Sequence, residues 1–379
     1  MSAEESATGA FTPANCPRLV VKVGSSLLVS PQGDVRREWL ASLAADIAAR
    51  VHGGQQVAVV SSGAIALGAR RLSLPKGGRA SLEDAQAAAA TGQIALSQIW
   101  AELLGAQGLT AAQMLVTLDD LEDRRRYLNA TATLGRLLSL GVVPVINEND
   151  SVATAEIRFG DNDRLAARVA QAAAAQGVIL LSDVDGLFSA NPLTHPDARL
   201  IERVERIDAQ TEAMASGASS SGMGSGGMTS KIAAARLAIG AGITLAIASG
   251  RVLHPLAALA QTGRCTLFPA EKSAPARKAW LAGGLRAAGE VHIDSGAVNA
   301  LRQGKSLLAA GALQITGNFA RGDLVAIIAP DGSTVARGLS EYDAGDAARL
   351  CGKRRDDHAA ILGYAPRSAL IHRNQMALL

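Results

Sequence analysis

The sequence predicts an α/β fold with a mostly parallel sheet covered on both faces, followed by a smaller β-rich module. Three observations carry this. Short apolar runs rich in β-branched residues alternate with helical stretches across the first two thirds of the chain. Several of these runs stop abruptly in small or polar residues, as strands do when they deliver groups to the carboxyl edge of a sheet. Beyond a segment holding Pro269, Pro275 and Gly283-Gly284, the pattern changes to short strand candidates separated by Gly and Asp turns. The length of 379 residues suits about two domains.

Taken in order, residues 1–17 read as a disordered tail. They carry Glu4 and Glu5 but neither Lys nor Arg and no apolar core, which excludes a signal peptide. Arg18–Val23 is the first strand and ends in Gly24-Ser25-Ser26. Helix is expected around Glu38–Val51, then a second strand, Val57–Val60, ending in Ser61-Ser62-Gly63. The Ala-rich Leu82–Leu104 segment reads as helix, Met114–Val116 as a third strand, and Leu121 to Leu140 as one charged helix. Val142–Ile146 is a fourth strand, Leu165–Gln176 a helix, and Val178–Leu181 a fifth strand ending in Ser182-Asp183. A Gly/Ser tract (216–230) leads to a helix, Lys231–Ile239, and to Thr244–Ala248, expected as the last strand of this part. Residues 269–288 read as a linker. Glu290–Asp294, Leu313–Ile315, Leu324–Ile328 and Thr334–Arg337 are the strand candidates of the second module.

Composition removes several function classes. Aromatic residues are only 3%, too few for a stacking platform for single-stranded nucleic acid, and a net charge of +3 implies no polyanionic partner. Cys16, Cys265 and Cys351 form no Cys-x-x-Cys pair and fit a reducing compartment. The longest uncharged stretch, Val51–Ala69, holds His52, two Gln, two Ser and four Gly, so no bilayer span is expected and the chain is placed in the cytoplasm. The six histidines have no metal-ligand spacing, and no Gly-x-Ser-x-Gly elbow is present.

The densest chemistry follows the fourth strand. Asn147-Glu148-Asn149-Asp150 and Gly160-Asp161-Asn162-Asp163 together hold four carboxylates and three carboxamides. An Asx-rich helix cap explains one such cluster, not both. Lys22 sits within an apolar strand, where an ammonium is costly unless it snorkels to the sheet edge or meets an anion. Gly24-Ser25-Ser26 and Ser61-Ser62-Gly63 can present backbone N–H groups and hydroxyls to phosphate. Ser225-Gly226-Gly227-Met228-Thr229-Ser230-Lys231 closes the Gly/Ser tract with a lysine at the mouth of a helix, which suits a polyphosphate better than a linker. The Gly-x-Gly-x-x-Gly at Gly222, Gly224 and Gly227 follows no strand, so it lacks the setting of a dinucleotide fingerprint. Two lysines, carboxylates and anion-binding loops on one edge suit phosphoryl transfer.

In this order, Val-Val-Lys-Val-Gly-Ser-Ser, Ser-Ser-Gly-Ala-Ile, Val-Pro-Val-Ile-Asn-Glu-Asn-Asp, Gly-Asp-Asn-Asp and Gly-Ser-Gly-Gly-Met-Thr-Ser-Lys resemble the glutamate-phosphorylating branch of the amino-acid kinase family. Gly317–Asp323, with Asp294–Ala297 before it, is similar to the PUA module many of its members carry. The resemblance implies a three-layer αβα kinase domain at about 16–270 and a PUA domain at about 288–379. It implies ATP-dependent phosphorylation of the L-glutamate side-chain carboxylate, the first step of proline synthesis, with Mg²⁺ carried largely by phosphate and no protein metal ligand named. Lys22 and Lys231 would face phosphate, with Asp163 orienting both. Ser62, Asp150, Asn162, Asn147 and Asp161 would hold glutamate, and Ser182, Asp183 and Ser225 to Lys231 would line the nucleotide site. Ser25, Ser61 and Ser182 stand where Thr is common in the family but keep a hydroxyl. Feedback inhibition by L-proline is also implied, through a flap at Ser151–Phe159. A glutamyl-phosphate reductase partner and a homo-oligomer complete the implied set. Other amino-acid kinases, acting on aspartate, acetylglutamate or carbamate, are the near alternatives. RNA binding through the PUA module is the distant one, although residues 286–379 hold eleven Lys/Arg against nine Asp/Glu, without the excess that phosphate contacts need.

Overall fold

The computed structural model describes residues 7–30, 34–152, 161–192, 194–217, 227–270 and 287–379. Among them are two sheets, in two compact units that divide near residue 272, with Asp123–Asn129 grouped with the second.

The first sheet has seven strands: β1 (Arg18–Val23), β2 (Gln56–Ser61), β3 (Ala111–Val116), β4 (Val143–Glu148), β5 (Gly177–Ser182), β6 (Thr244–Ser249) and β7 (Cys265–Phe268). Their order is β3-β4-β2-β1-β5-β6-β7. All pairings are parallel except β6–β7, so Thr244–Ala248 is not the last strand. An antiparallel edge strand only four residues long gives little periodicity to read. β1, β2 and β5 are buried almost throughout, as central parallel strands are.

Alternation along β1 sorts the two faces. Leu19, Val21 and Val23 join a core with Trp39, Leu43 and Ile47 of the Arg37–His52 helix and with Leu96, Trp100 and Leu104 of the Leu82–Gly105 helix. Val20 and Lys22 therefore point to the other side. There the Asp161–Ala173 helix packs on β1 and β5, and the Met228–Gly240 helix packs on it and on β6. Helices on both faces give the three-layer sandwich.

Four expectations need correction. Residues 7–17 are not a tail: Ala7–Ala10 is helical, and Phe11 and Cys16 are buried in the core beside the Arg37–His52 helix. The charged helix is two, Leu118–Glu122 and Arg124–Ser139. Asp123 restarts the second, because its carboxylate accepts from the backbone N–H of Arg126 (2.9 Å). The Asp161–Ala173 helix starts four residues before the expected Leu165, so Asn162 and Asp163 stand on a helical turn, not in a loop. The helix expected at Lys231–Ile239 starts at Met228, which puts Lys231 inside the first turn.

Helices Ala64–Arg71, Ala209–Gly217 and Pro255–Thr262 were not foreseen, and for the first of these glycine explains how it fits. A Cβ on Gly68 would lie 1.7 Å from the Ala88 carbonyl oxygen, and one on Gly92 would lie 1.8 Å from that of Ala64. Those two residues let the Ala64–Arg71 and Leu82–Gly105 helices touch backbone to backbone. Gly63, at φ 109°, makes the left-handed turn from β2 into the first of them.

The second unit carries a five-stranded sheet, β8 (Gly289–Ile293), β9 (Ala312–Gly317), β10 (Leu324–Ile328), β11 (Thr334–Leu339) and β12 (Met376–Leu378), in the order β12-β11-β10-β8-β9. β8 and β10 pair in parallel and the others antiparallel. Val291, Ile293, Phe319, Ile327, Leu350 and Ile371 form its own core. Three helices, Ser295–Arg302, Ala344–Leu350 and His358–Leu362, were not foreseen. Asp294 and Asp343 cap the first two, each accepting from a backbone N–H three residues on.

Candidate active site

β1 divides the sheet, with β2, β4 and β3 on one side and β5, β6 and β7 on the other. Ligands of open α/β folds bind at such a switch point, beyond the carboxyl ends of the strands. Lys22, one residue from the end of β1, extends on the face where the Asp161–Ala173 and Met228–Gly240 helices begin. Its ammonium lies 2.6 Å from one oxygen of Asp163, and that of Lys231 lies 3.1 Å from the other. Relative exposures are 6% for Lys22, 5% for Lys231 and 0% for Asp163. Two buried cations thus share one buried anion, and the trio keeps a net positive charge.

The pKa directions follow from that geometry. Burial raises the Asp163 carboxyl, but the two ammonium groups more than offset it and hold Asp163 below the usual carboxylate range. Burial is also the largest influence on Lys22 and lowers it, with Lys231 acting the same way. Asp163 and, more weakly, Asp183 oppose the shift. Ser182, at the end of β5, is buried and donates to Asp183 (3.2 Å). Asp183 therefore stands just beyond the carboxyl end of β5, within electrostatic reach of Lys22.

On the other flank, side-chain amides converge. Asn162 Nδ2 donates to Ser62 Oγ (2.7 Å) and to Asn147 Oδ1 (3.2 Å). Asn147 Nδ2 in turn donates to Gln93 Oε1 (2.8 Å). β2, β4 and the helix begun at Asp161 therefore bring Ser62, Asn147 and Asn162 together, as their sequence motifs implied. Ser61 turns the opposite way, and its hydroxyl accepts from Trp100 Nε1 (2.9 Å) in the core. A cleft of about 290 Å³ opens beside them, lined by Gln93, Gln113, Asn149, Asp150 and Ser151.

Some expected residues stand apart. Ser225, Gly226 and the segment 153–160 lie outside the described residues, as does the side chain of Asp161. Met228 is buried, and Thr229 is exposed at the start of its helix. Asp150 lies within electrostatic reach of Arg79, where desolvation lowers the guanidinium pKa and the carboxylate opposes it. Arg79 and Gln93 were missed by sequence reasoning. Gln93 shares its helix with Gln86 and Gln98, so nothing in the sequence singled it out.

Among the described residues, no cluster of three His, Cys, Asp or Glu could hold a metal ion, and no helix is long and apolar enough to cross a membrane. Both oxygens of Asp163 are committed to lysines.

The profile of the amino acid kinase family matches residues 17–249, and that of the PUA domain matches residues 289–362. Among curated proteins, the chain is 72% identical over 369 residues to a protein of Sphingopyxis alaskensis named glutamate 5-kinase, covering 97% of this chain and 99% of that one. A protein of the same name from Zymomonas mobilis is 64% identical, with 97% of this chain and 93% of the other covered. A third, from Novosphingobium aromaticivorans, is 62% identical, with 97% of each covered.

Proposed function

Because the chain belongs to the amino acid kinase family, within its glutamate 5-kinase branch, we propose that it transfers the γ-phosphoryl group of ATP to the side-chain carboxylate of L-glutamate. The product is L-glutamyl 5-phosphate, the first intermediate of proline synthesis. The observation that carries this reading is the pair of buried lysines on Asp163, set one residue from the amide cluster at Asn162.

The acceptor carboxylate is ionised at neutral pH and needs no general base. The barrier is electrostatic, an anion approaching a triphosphate. Lys22 and Lys231 meet the charge that develops on the transferred group and the leaving oxygen. Asp163 fixes both ammonium groups beforehand, so that little reorganisation is left for the reaction itself. Ser182 and Asp183 border the nucleotide, together with Ser225 to Lys231. Ser62, Asn147, Asp150, Asp161 and Asn162 hold the amino acid, with Asp150 accepting from its α-ammonium. Mg²⁺ carried by ATP would supply charge neutralisation there, and no described residue is assigned to hold it, since each oxygen of Asp163 faces a lysine.

The finer readings accompany this assignment. L-Proline shares glutamate's α-carboxylate and ammonium, so it competes with glutamate and not with ATP. A glutamyl-phosphate reductase consumes the labile product, the enzyme works in the cytoplasm, and its chains form a homo-oligomer.

An ATP-dependent assay over a panel of amino acids, with hydroxylamine trapping of the acyl phosphate, tests the proposal. Glutamate is expected to give hydroxamate, and aspartate and acetylglutamate little. A preference for acetylglutamate would overturn it.

A further inference from the structure

The amide cluster has a direction, and that direction begins outside the substrate site. Ser97 Oγ donates its single hydrogen to the backbone carbonyl of Gln93, one helical turn earlier (2.8 Å). Toward the Gln93 side chain, Ser97 Oγ can then only accept, and Gln93 Nε2 donates to it (3.2 Å). Gln93 therefore turns Oε1 toward Asn147, which must answer with Nδ2 (2.8 Å). Asn147 is left with Oδ1 for Asn162 (3.2 Å). Asn162 spends both hydrogens of Nδ2, one on Asn147 and one on Ser62. What remains is Asn162 Oδ1, a buried acceptor that receives no hydrogen bond from the described residues.

Each amide in this series would accept either orientation on shape alone, because oxygen and NH₂ are nearly equal in size. The helix carbonyl at Gln93 breaks the symmetry for all three. Gln93 itself is 9% exposed, on the helix that Gly92 holds against the Ala64–Arg71 helix, so it has little freedom to leave.

We propose that Gln93, backed by Ser97, is a positioning residue that sets the polarity of the amino-acid site. It holds Asn162 Oδ1 toward the substrate as an acceptor for the α-ammonium, and leaves the Ser62 hydroxyl hydrogen for a carboxylate oxygen. A buried carbonyl without a partner costs stability in the free protein, and a ligand N–H removes that cost. A flipped Asn162 would present NH₂ to an ammonium, a donor facing a donor. This inference rests on the glutamate reading above and names how that site selects a zwitterion.

The test compares L-glutamate with glutarate, which lacks the α-ammonium, in the hydroxamate assay on the full chain. Gln93→Met keeps length and removes the acceptor that faces Asn147. It is expected to raise the glutamate KM about tenfold, with the ATP KM moving less than about threefold. The ratio of kcat/KM for glutamate over glutarate falls by about the same tenfold factor. Gln93→Glu retains an acceptor toward Asn147 and restores most of the ratio. A packing role alone would lower both substrates together and leave the ratio where it was. An unchanged ratio in Gln93→Met, or a Gln93→Glu ratio as low as that of Gln93→Met, overturns the proposal. If Gln93→Met does not fold, Ser97→Ala serves in its place. It frees Gln93 to turn and is expected to lower the ratio about threefold; no change would overturn the proposal equally. A wild-type protein inert toward glutamate would remove the functional reading and this inference with it. An active wild type with insensitive variants would remove the inference alone.

Discussion

Replacing Asp163 with Asn removes one negative charge from between two buried ammonium groups and nearly preserves shape. At 2.6 and 3.1 Å, and an effective dielectric near 20, each contact supplies about 5–6 kcal/mol of gross attraction. Desolvation of three buried charges opposes most of this. Deleting one partner of such a set has a net cost of about 3–5 kcal/mol, because the other charges stay buried. Asp163→Asn should lose that much in urea unfolding, and turnover should fall about 10²-fold or more as the lysines lose their fixed positions. ATP carries the missing negative charge, so saturating ATP should raise the melting temperature of the variant more than that of the wild type. The pH dependence has a definite sign. Folding depresses the Asp163 pKa, so the unfolded chain binds more protons below the ordinary carboxylate value of about 3.9. The stabilisation is complete above that value and is lost as pH falls through the lower folded pKa; the variant should lack this component. A stability loss under about 1 kcal/mol with normal turnover would refute the reasoning.

Three further outcomes are expected. Lys22→Ala should cut turnover about 10²-fold or more while still folding, because Lys231 continues to pair with Asp163; steady-state kinetics beside a thermal melt should show a loss of turnover far larger than the loss of stability. Gly92→Ala puts a methyl group 1.8 Å from the Ala64 carbonyl oxygen; it should cost at least about 1–3 kcal/mol in chemical denaturation, and a neutral result would mean the two helices are less closely apposed. Cys16 and Cys265 are buried thiols pushed up to about 12, so both should resist an alkylating reagent until the protein unfolds, as followed by mass spectrometry.

Much of the kinase sheet was legible because its strands are short, apolar and β-branched, and because parallel strands are buried on both faces. The same property gave away Lys22, a cation where none belongs. Asn147, Asn162 and Asp163 stood out because carboxamides and carboxylates cluster at strand ends only with reason. Other features left weaker traces. The Ala64–Arg71 helix is carried by small residues whose value is close approach, which no periodicity reports. Phe11 and Cys16 are buried by a segment too short and polar to show a pattern. Lys231 was misplaced by three residues, since Gly227 has no side chain to cap the helix and so no cap signal marks Met228 as its start. Gln93 acquires meaning only through Asn147, 54 residues away, and separation in sequence hides such a pair.

The central claim is that a carboxylate oxygen of glutamate attacks phosphorus between Lys22 and Lys231. L-Glutamate carrying ¹⁸O in its side-chain carboxylate, incubated with ATP and the enzyme and then quenched with hydroxylamine, tests it most directly. Hydroxylamine attacks carbon and releases phosphate with the bridging oxygen, so the account predicts inorganic phosphate bearing a single ¹⁸O. Hydroxamate formed without ¹⁸O in the phosphate would contradict it.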